Sequence, residues 1–419
     1  MEKTALHTIY KTFLSSRWGQ NRVMLLVATL MLGMVSKGLA QEGSQGNTTI
    51  FANGQMTFFG NHNFVTGGSG SQPGVILTER AAGNIGYLNF SGDGITTTGA
   101  NDANYVDGYV RKYGSGSFIF PVGDNGSYGP FAANADGTSG AYYFTDPNTA
   151  ETTNLFTGGN YGPLPSGTTF STTNKTTNVG TVSTREYWDI DGAIATQITL
   201  TWSENSDVST LTGDQLSRLI IVGWNATQSR WEKLASTIDP TSILGGASSL
   251  TSGSITTNAN IIPNNYTVYT LATQVPDLTP TNDIDVLSLT LAIDNRDFIV
   301  NLYEINNTDA TGLISFRITK LSSFTITYSS TSGTSAVLGG IANENSNWVF
   351  SENSNFIIVT AKPGVTIPQG GHAKIGFNIK RNSGIASGNA QNITTSIVGG
   401  SGGEIYLANN QVVTTITAN

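Results

Sequence analysis

Thr48-Thr-Ile-Phe-Ala-Asn-Gly-Gln-Met-Thr-Phe-Phe59 alternates in polarity, and one face of it reads Ile50, Ala52, Gly54, Met56, Phe58. A period of two is what a strand shows when one side of it is buried. The same period recurs at residues 74–80, 85–90, 108–113, 117–120, 185–190, 197–203, 218–224, 231–235 and 266–272, with Gly, Asn and Asp between the runs. These are short strands joined by turns. Nowhere in this region do apolar residues keep i, i+3, i+4 spacing for three helical turns. The pattern predicts an all-β protein built of tandem β-sandwich domains, with residues 41–273 as the N-terminal β-rich part.

Residues 274–285 differ from what precedes them. Pro276 and Pro280, with no large aromatic and no helical pattern, predict an extended linker. Beyond it, in residues 286–419, seven to nine short strands are spaced by turn residues every ten or so positions. That rhythm predicts an immunoglobulin-like sandwich.

The first forty residues read differently again. Lys3, Lys11, Arg17 and Arg22 precede a thirteen-residue apolar run, residues 23–35, which relaxes into Gly38-Leu39-Ala40. A basic region, a short apolar stretch and small residues before a cut predict a secretory signal peptide over residues 1–40. The run is too short to span a bilayer as a helix, which takes about 20 residues. The chain contains no cysteine. It therefore has neither a thiol for lipid attachment nor a disulfide, and its fold must rest on its own cores.

Charged residues make up 11% of the chain, against about 25% in ordinary globular proteins. Without residues 1–40 the chain keeps 15 Lys and Arg against 27 Asp and Glu. An acidic surface with no basic cluster excludes nucleic acid as a partner and argues against insertion into anionic membranes.

Two passages resemble modules of secreted surface proteins of Bacteroidota. The first comprises Tyr109-Val-Arg-Lys-Tyr-Gly-Ser-Gly-Ser-Phe-Ile-Phe-Pro-Val-Gly-Asp124, Arg185-Glu-Tyr-Trp188, Ile198-Thr-Leu-Thr-Trp202, Leu219-Ile-Ile-Val-Gly-Trp224 with Trp231, and Tyr266-Thr-Val-Tyr-Thr-Leu-Ala272. The second, ending Gly402-Gly-Glu-Ile-Tyr-Leu-Ala-Asn-Asn410 before a last strand, is similar to the immunoglobulin-like repeat domains of bacterial surface and filament proteins. The resemblance implies a surface, adhesive or filament-forming role and carries no catalytic residue with it.

Chemistry-bearing residues are few. His62 and His372 sit beside Gly and Asn and read as surface-loop histidines, so a Ser-His-Asp arrangement has little to draw on. No Cys/His cluster with zinc spacing exists. Glu186 beside Trp188 and Glu204 beside Trp202 are the carboxylates to check for glycoside hydrolysis, although the Trp spacing suits core packing. Asp189-Ile-Asp191-Gly192 and Asp124-Asn125-Gly126 offer oxygen ligands for calcium, but they equally suit hairpin turns. Neither an enzyme nor a cofactor is predicted.

The function expected is a structural subunit of an extracellular fibre, assembled non-covalently from copies of itself. Strand addition supplies the physics, with an extended segment of one chain completing a sheet of the next. The candidate donor is residues 48–59, presenting Ile50, Ala52, Met56 and Phe58; the alternative is that they form a strand of their own domain. The competing function is a secreted adhesin or glycan-binding protein, with Tyr142, Tyr143, Phe144 and Tyr161 as candidate contact aromatics. Asn47, Asn89, Asn125, Asn174, Asn225, Asn265, Asn306 and Asn392 lie in Asn-x-Ser/Thr sequons and are candidate glycan acceptors.

Overall fold

The computed structural model describes residues 42–45, 47–66, 74–284, 288–289 and 295–419. The predicted signal peptide, residues 1–40, lies outside these. The described residues form an all-β fold with two separate sets of cores. One set draws on residues from Ile50 to Ala272 and the other on residues from Leu278 to Ala418.

The N-terminal part begins as a parallel coil, which hairpin-style reading of the sequence did not anticipate. Its first turn is Thr48–Ile50, Gln55–Phe58 and His62–Val65. Its second is Ile76–Thr78, Tyr87–Ser91 and Thr97–Thr98. Its third is Val106–Asp107, Tyr109–Tyr113 and Phe118–Phe120. Along one wall Thr48, Ile76, Val106 and Val122 stack in parallel register. Along the next, Met56, Leu88 and Val110 do the same, and His62 pairs with Thr97 on the third. Such a coil buries Ile50, Phe64, Ile76, Leu88, Phe90, Val106 and Val110 inside its walls.

Tyr109–Tyr113 joins the coil to a sandwich. It runs parallel to Tyr87–Ser91 on one side and antiparallel to Ser139–Tyr143 on the other. One sheet therefore extends from Gln55–Phe58 through Tyr109–Tyr113 to Tyr187–Asp191, Tyr269–Gln274, Leu219–Asn225 and Arg230–Leu234. A second sheet of Phe118–Phe120, Phe131–Ala133, Thr199–Trp202, Gly253–Thr257 and Ser236–Ile238 covers one face of it. Trp188, Trp202, Phe120 and Phe131 fill the space between them. The long sheet's other face carries Tyr109, Tyr143, Tyr187, Trp224 and Trp231, closed over by Leu164 and Phe170. All four tryptophans of this part are core residues. Trp188 and Trp202 donate their indole N–H groups to the carbonyls of Gly129 and Ser249, and Trp224 meets Trp231 edge to face.

The segment read as a linker, 274–285, is shorter than the sequence suggests. Tyr269–Gln274 ends the N-terminal part, and Leu278–Ile284 is already the first strand of the C-terminal sandwich, antiparallel to Asn295–Glu304. Pro280 is tolerated there because the strand lies at the sheet edge, where a missing N–H disrupts no inner ladder. Only residues 275–277 connect the two parts. Across the junction Lys233 Nζ donates to Asn306 Oδ1 at 3.2 Å, and Arg218 Nη2 donates to Thr311 Oγ1 at 3.2 Å.

The C-terminal part is an immunoglobulin-like sandwich. One sheet is Leu278–Ile284, Asn295–Glu304, His372–Arg381 and Phe324–Thr327. The other is Ser288–Leu289, Gln411–Ala418, Ala390–Ile397, Ser315–Thr319, Phe356–Ala361 and Trp348–Glu352. Phe298, Val300, Phe316, Trp348, Ile357, Ile375, Phe377 and Ile416 interdigitate between them.

Candidate assembly edge

The first coil turn ends two walls. Thr48–Ile50 is the outermost strand of its sheet and Gln55–Phe58 the outermost of the long sheet. The backbone directions follow from the hydrogen bonds. Thr48 N–H donates to the Val75 carbonyl and the Ile50 carbonyl accepts from Glu79 N–H. Both residues thus point at the second turn. Because successive residues of a strand direct their backbone groups to opposite sides, the N–H and C=O of Thr49 point away from the fold. Such an edge is a template for another strand.

Beside this edge lies a cavity of about 510 Å³, lined by Thr48, Thr49, Val75, Leu77, Tyr105 and the hairpin-tip residues Leu155 and Phe156. Leu155 and Phe156 are each 49% exposed, Phe51 is 57% exposed and Phe59 74%. Phe51 and Phe156 meet edge to face with ring centres 5.3 Å apart. These exposed aromatics were not singled out from the sequence. The alternation does set Phe51 and Phe59 on the side opposite Ile50, Met56 and Phe58, and that was the signal available.

The segment nominated as a donor strand is part of its own fold. Ile50 is buried in the core, and Met56 and Phe58 pack against it, while Ala52 lies half-buried in the turn between the two strands. The physical reason is the parallel register: Met56 sits opposite Leu88 and Phe58 opposite Phe90, so the apolar face already has its cover. Release of this segment would expose the coil's own core.

A buried ionic cluster fixes the coil behind this edge. Arg80 Nη1 meets Asp107 Oδ1 at 2.6 Å and Arg80 Nη2 lies 3.7 Å from Asp124 Oδ1, with all three side chains fully buried. The guanidinium lies 5.0 Å from the centre of the Tyr143 ring and 5.2 Å from that of Tyr161. Thr152 Oγ1 donates to Asp124, and the Arg80 N–H donates to the Tyr161 hydroxyl. Arg80 and Asp107 belong to the coil, Asp124 to the strand stacked on it, and Thr152 and Tyr161 to the hairpin whose tip lines the cavity. Burial pushes the Asp124 carboxyl up to about 6 against the pull of Arg80, and Asp107 rises for the same reason.

Other nominated residues fall elsewhere. His62 is a buried strand residue stacked on Phe58 with ring centres 4.2 Å apart, and burial lowers its pKa to about 4. His372 opens a strand and stacks on Tyr303. Both were expected in surface loops; the alternation of their strands overrides the neighbouring Gly and Asn. Tyr142, Tyr143 and Tyr161 are buried and Phe144 is half-buried, so they are not contact aromatics. Asn125-Gly126 is the two-residue turn between Val122–Asp124 and Ser127–Tyr128, with both φ angles positive. Among the described residues, no group of three or more His, Cys, Asp or Glu side chains could hold a metal ion.

Of the sequon asparagines, Asn47, Asn125, Asn174, Asn265 and Asn392 are exposed and Asn225 is half-buried. Asn89 and Asn306 are buried, with their amides donating to Gln55 and Thr57 and to the Asn178 carbonyl. The folded chain does not present those two as glycan acceptors.

Glu204 is exposed, whereas Glu186 is buried and accepts the Tyr142 hydroxyl at 2.6 Å. The two do not share a cleft. Burial pushes Glu186 up to about 7. A carboxyl with a higher pKa folded than unfolded stabilises the fold in its protonated form. Its contribution is complete below about 4.5 and is lost as the pH rises through about 7. His62 acts in the opposite sense, losing its contribution as the pH falls from 6.5 towards 4. The thermal midpoint should therefore fall between pH 6.5 and pH 8. Glu186→Gln, which keeps the contact with Tyr142 but not the ionisation, should flatten that fall. Equal slopes in the two proteins would remove Glu186 as its source.

No family model and no curated protein matches the sequence. Among solved structures, the N-terminal domain of the Streptococcus gordonii adhesin Sgo0707 aligns at 11% identity, covering 72% of this chain and 79% of that one, with a TM-score of 0.24. The full-length major pilin SpaD of Corynebacterium diphtheriae aligns at 9% identity over 48% of this chain and 57% of that one, TM-score 0.23. A fragment of the major pilin GBS80 of Streptococcus agalactiae aligns at 11% identity over 34% and 56%, TM-score 0.24. Among the described residues, no helix is long and apolar enough to cross a membrane.

Proposed function

We propose that this protein is a secreted subunit of an extracellular surface fibre, built head to tail from copies of itself through the edge formed by Thr48–Ile50 and Gln55–Phe58. The observation that carries this reading is the open parallel edge with the outward amide of Thr49, set beside an apolar cavity and the exposed rings of Phe51 and Phe156. Soluble proteins normally blunt such edges with charge, proline or a bulge. Thr48–Ile50 carries none of these. A second copy supplies an edge strand of its C-terminal sandwich, where Trp348–Glu352 and Phe324–Thr327 are also outermost. Joining unlike surfaces of identical chains gives an open polymer. With no cysteine in the chain, backbone pairing and apolar burial are the means of cohesion.

The test is negative-stain microscopy of the native secreted material, together with size-exclusion of the chain starting at Gln41. Regular filaments with a subunit repeat support the reading. A monodisperse monomer at tens of micromolar overturns it and favours a solitary adhesin.

A further inference from the structure

A second cavity, of about 480 Å³, opens on the face of the long sheet opposite the Trp188 core, where the aromatic layer of Tyr109, Tyr143 and Tyr187 gives out. Asp189 and Asp191 line it from one strand, two residues apart and so on one face. Asn225 and Thr227 come from the turn between Leu219–Asn225 and Arg230–Leu234, and Asn264, Asn265, Tyr266 and Thr267 from the loop before Tyr269–Gln274. Asp189 is 3% exposed and accepts one hydrogen bond, from the Tyr109 hydroxyl. Asp191 makes no hydrogen bond or ion pair among the described residues, and the same holds for the side chains of Asn265, Thr227 and Thr267. The Tyr266 ring packs over Gly223 and against Tyr269 on the Trp188 face of the sheet, away from the two carboxylates.

We propose that this cavity binds a sugar residue of an uncharged glycan. The chemistry of the lining selects that class. Two carboxylates with no Lys or Arg in the wall disfavour phosphates and other anions. The preponderance of amides, hydroxyls and carboxylates disfavours an apolar ligand. A lone divalent cation leaves most of such a volume empty and finds two carboxylates where six to eight oxygens are wanted. A polyhydroxylated ring fits both the size, which lies in the range of small-molecule pockets, and the pattern. Asp189 and Asp191 accept from its hydroxyls, Asn265 both donates and accepts, and Asn264, whose Oδ1 already takes the Gly192 N–H, donates. The proposal is independent of fibre formation, since no residue of Thr48–Phe58 lines the cavity.

The test uses the chain starting at Gln41 and saturation-transfer NMR with a panel of glucose, galactose, mannose, fucose, N-acetylglucosamine and N-acetylgalactosamine and their common disaccharides. At least one sugar should bind. Asp191→Asn should weaken it at least tenfold, as loss of a charge-assisted acceptor does, without moving the thermal midpoint. Thr227→Ala, remote from the core, should weaken it less. No saturation transfer from any member of the panel overturns the proposal. So does binding that Asp191→Asn leaves unchanged, or calcium competing for the site with the sugar displaced.

Discussion

Arg80→Met should lower the unfolding free energy of the N-terminal part by about 3–5 kcal/mol, the cost of removing one partner from a buried ion pair. Arg80 is wholly buried, as are Asp107 and Asp124 beside it. Burial works against its charge, but Asp107, Tyr143 and Asp124 hold the proton on and raise its pKa. Met fills much of the space and supplies no charge, so two carboxylates stay behind without a cation. Domains of this size lose roughly 2–4 °C of midpoint per kcal/mol, which makes a fall on the order of 10 °C. The pH dependence separates this cause from simple mispacking. In the variant both carboxylates lose the attraction that opposed the upward push of burial, so protonation relieves the defect. The deficit against wild type should be smaller at pH 5 than at pH 8. A deficit independent of pH would mean that lost packing is responsible. If Arg80→Met does not fold, Arg80→Lys retains the charge and should show a smaller deficit. A loss below about 1 kcal/mol in either variant would show that the cluster is not what fastens the coil.

How much of this was legible beforehand differs between the two parts. In the C-terminal sandwich, residues 373–379 alternate, and Ala373, Ile375, Phe377 and Ile379 do face one core. A sandwich alternates inward and outward residues, so the period of two carries the information. The coil is harder to see. Stacked residues are 28 and 30 apart along the Thr48, Ile76, Val106 wall but 32 and 22 apart along the Gln55, Tyr87, Tyr109 wall. The turns between walls vary in length, as surface connections do, and no fixed repeat survives. The Arg80 cluster is invisible for a related reason. Its acids lie 27 and 44 positions downstream, and only parallel stacking brings them together. Asp189 and Asp191 were visible as a pair. Their partners Asn225, Asn264 and Asn265 come from two other loops, so the spacing alone pointed to a turn or a calcium ligand.

Thr49→Pro should abolish self-association while leaving the fold intact. The hydrogen bonds of Thr48 and Ile50 to the second coil turn do not involve Thr49, so removing its N–H breaks nothing inside the molecule. Proline is accepted on edge strands for that reason. To an incoming strand the change is severe, because it meets a ring where it needs a donor. The expected result is a shift from polymer to monomer, with apparent affinity down at least a hundredfold and the thermal midpoint within about 2 °C of wild type. Thr49→Lys should act in the same direction, since charge on an edge is a common means of keeping sheets apart. Analytical ultracentrifugation over a range of concentrations reads both. A monomer that still binds its sugar would locate the fault in the edge alone. Filaments of unchanged length from Thr49→Pro would rule out strand pairing at this edge. The exposed rings of Phe51 and Phe156 would then be the next surface to test, with Phe156→Asp expected to disrupt a contact made by apolar burial and not by the backbone.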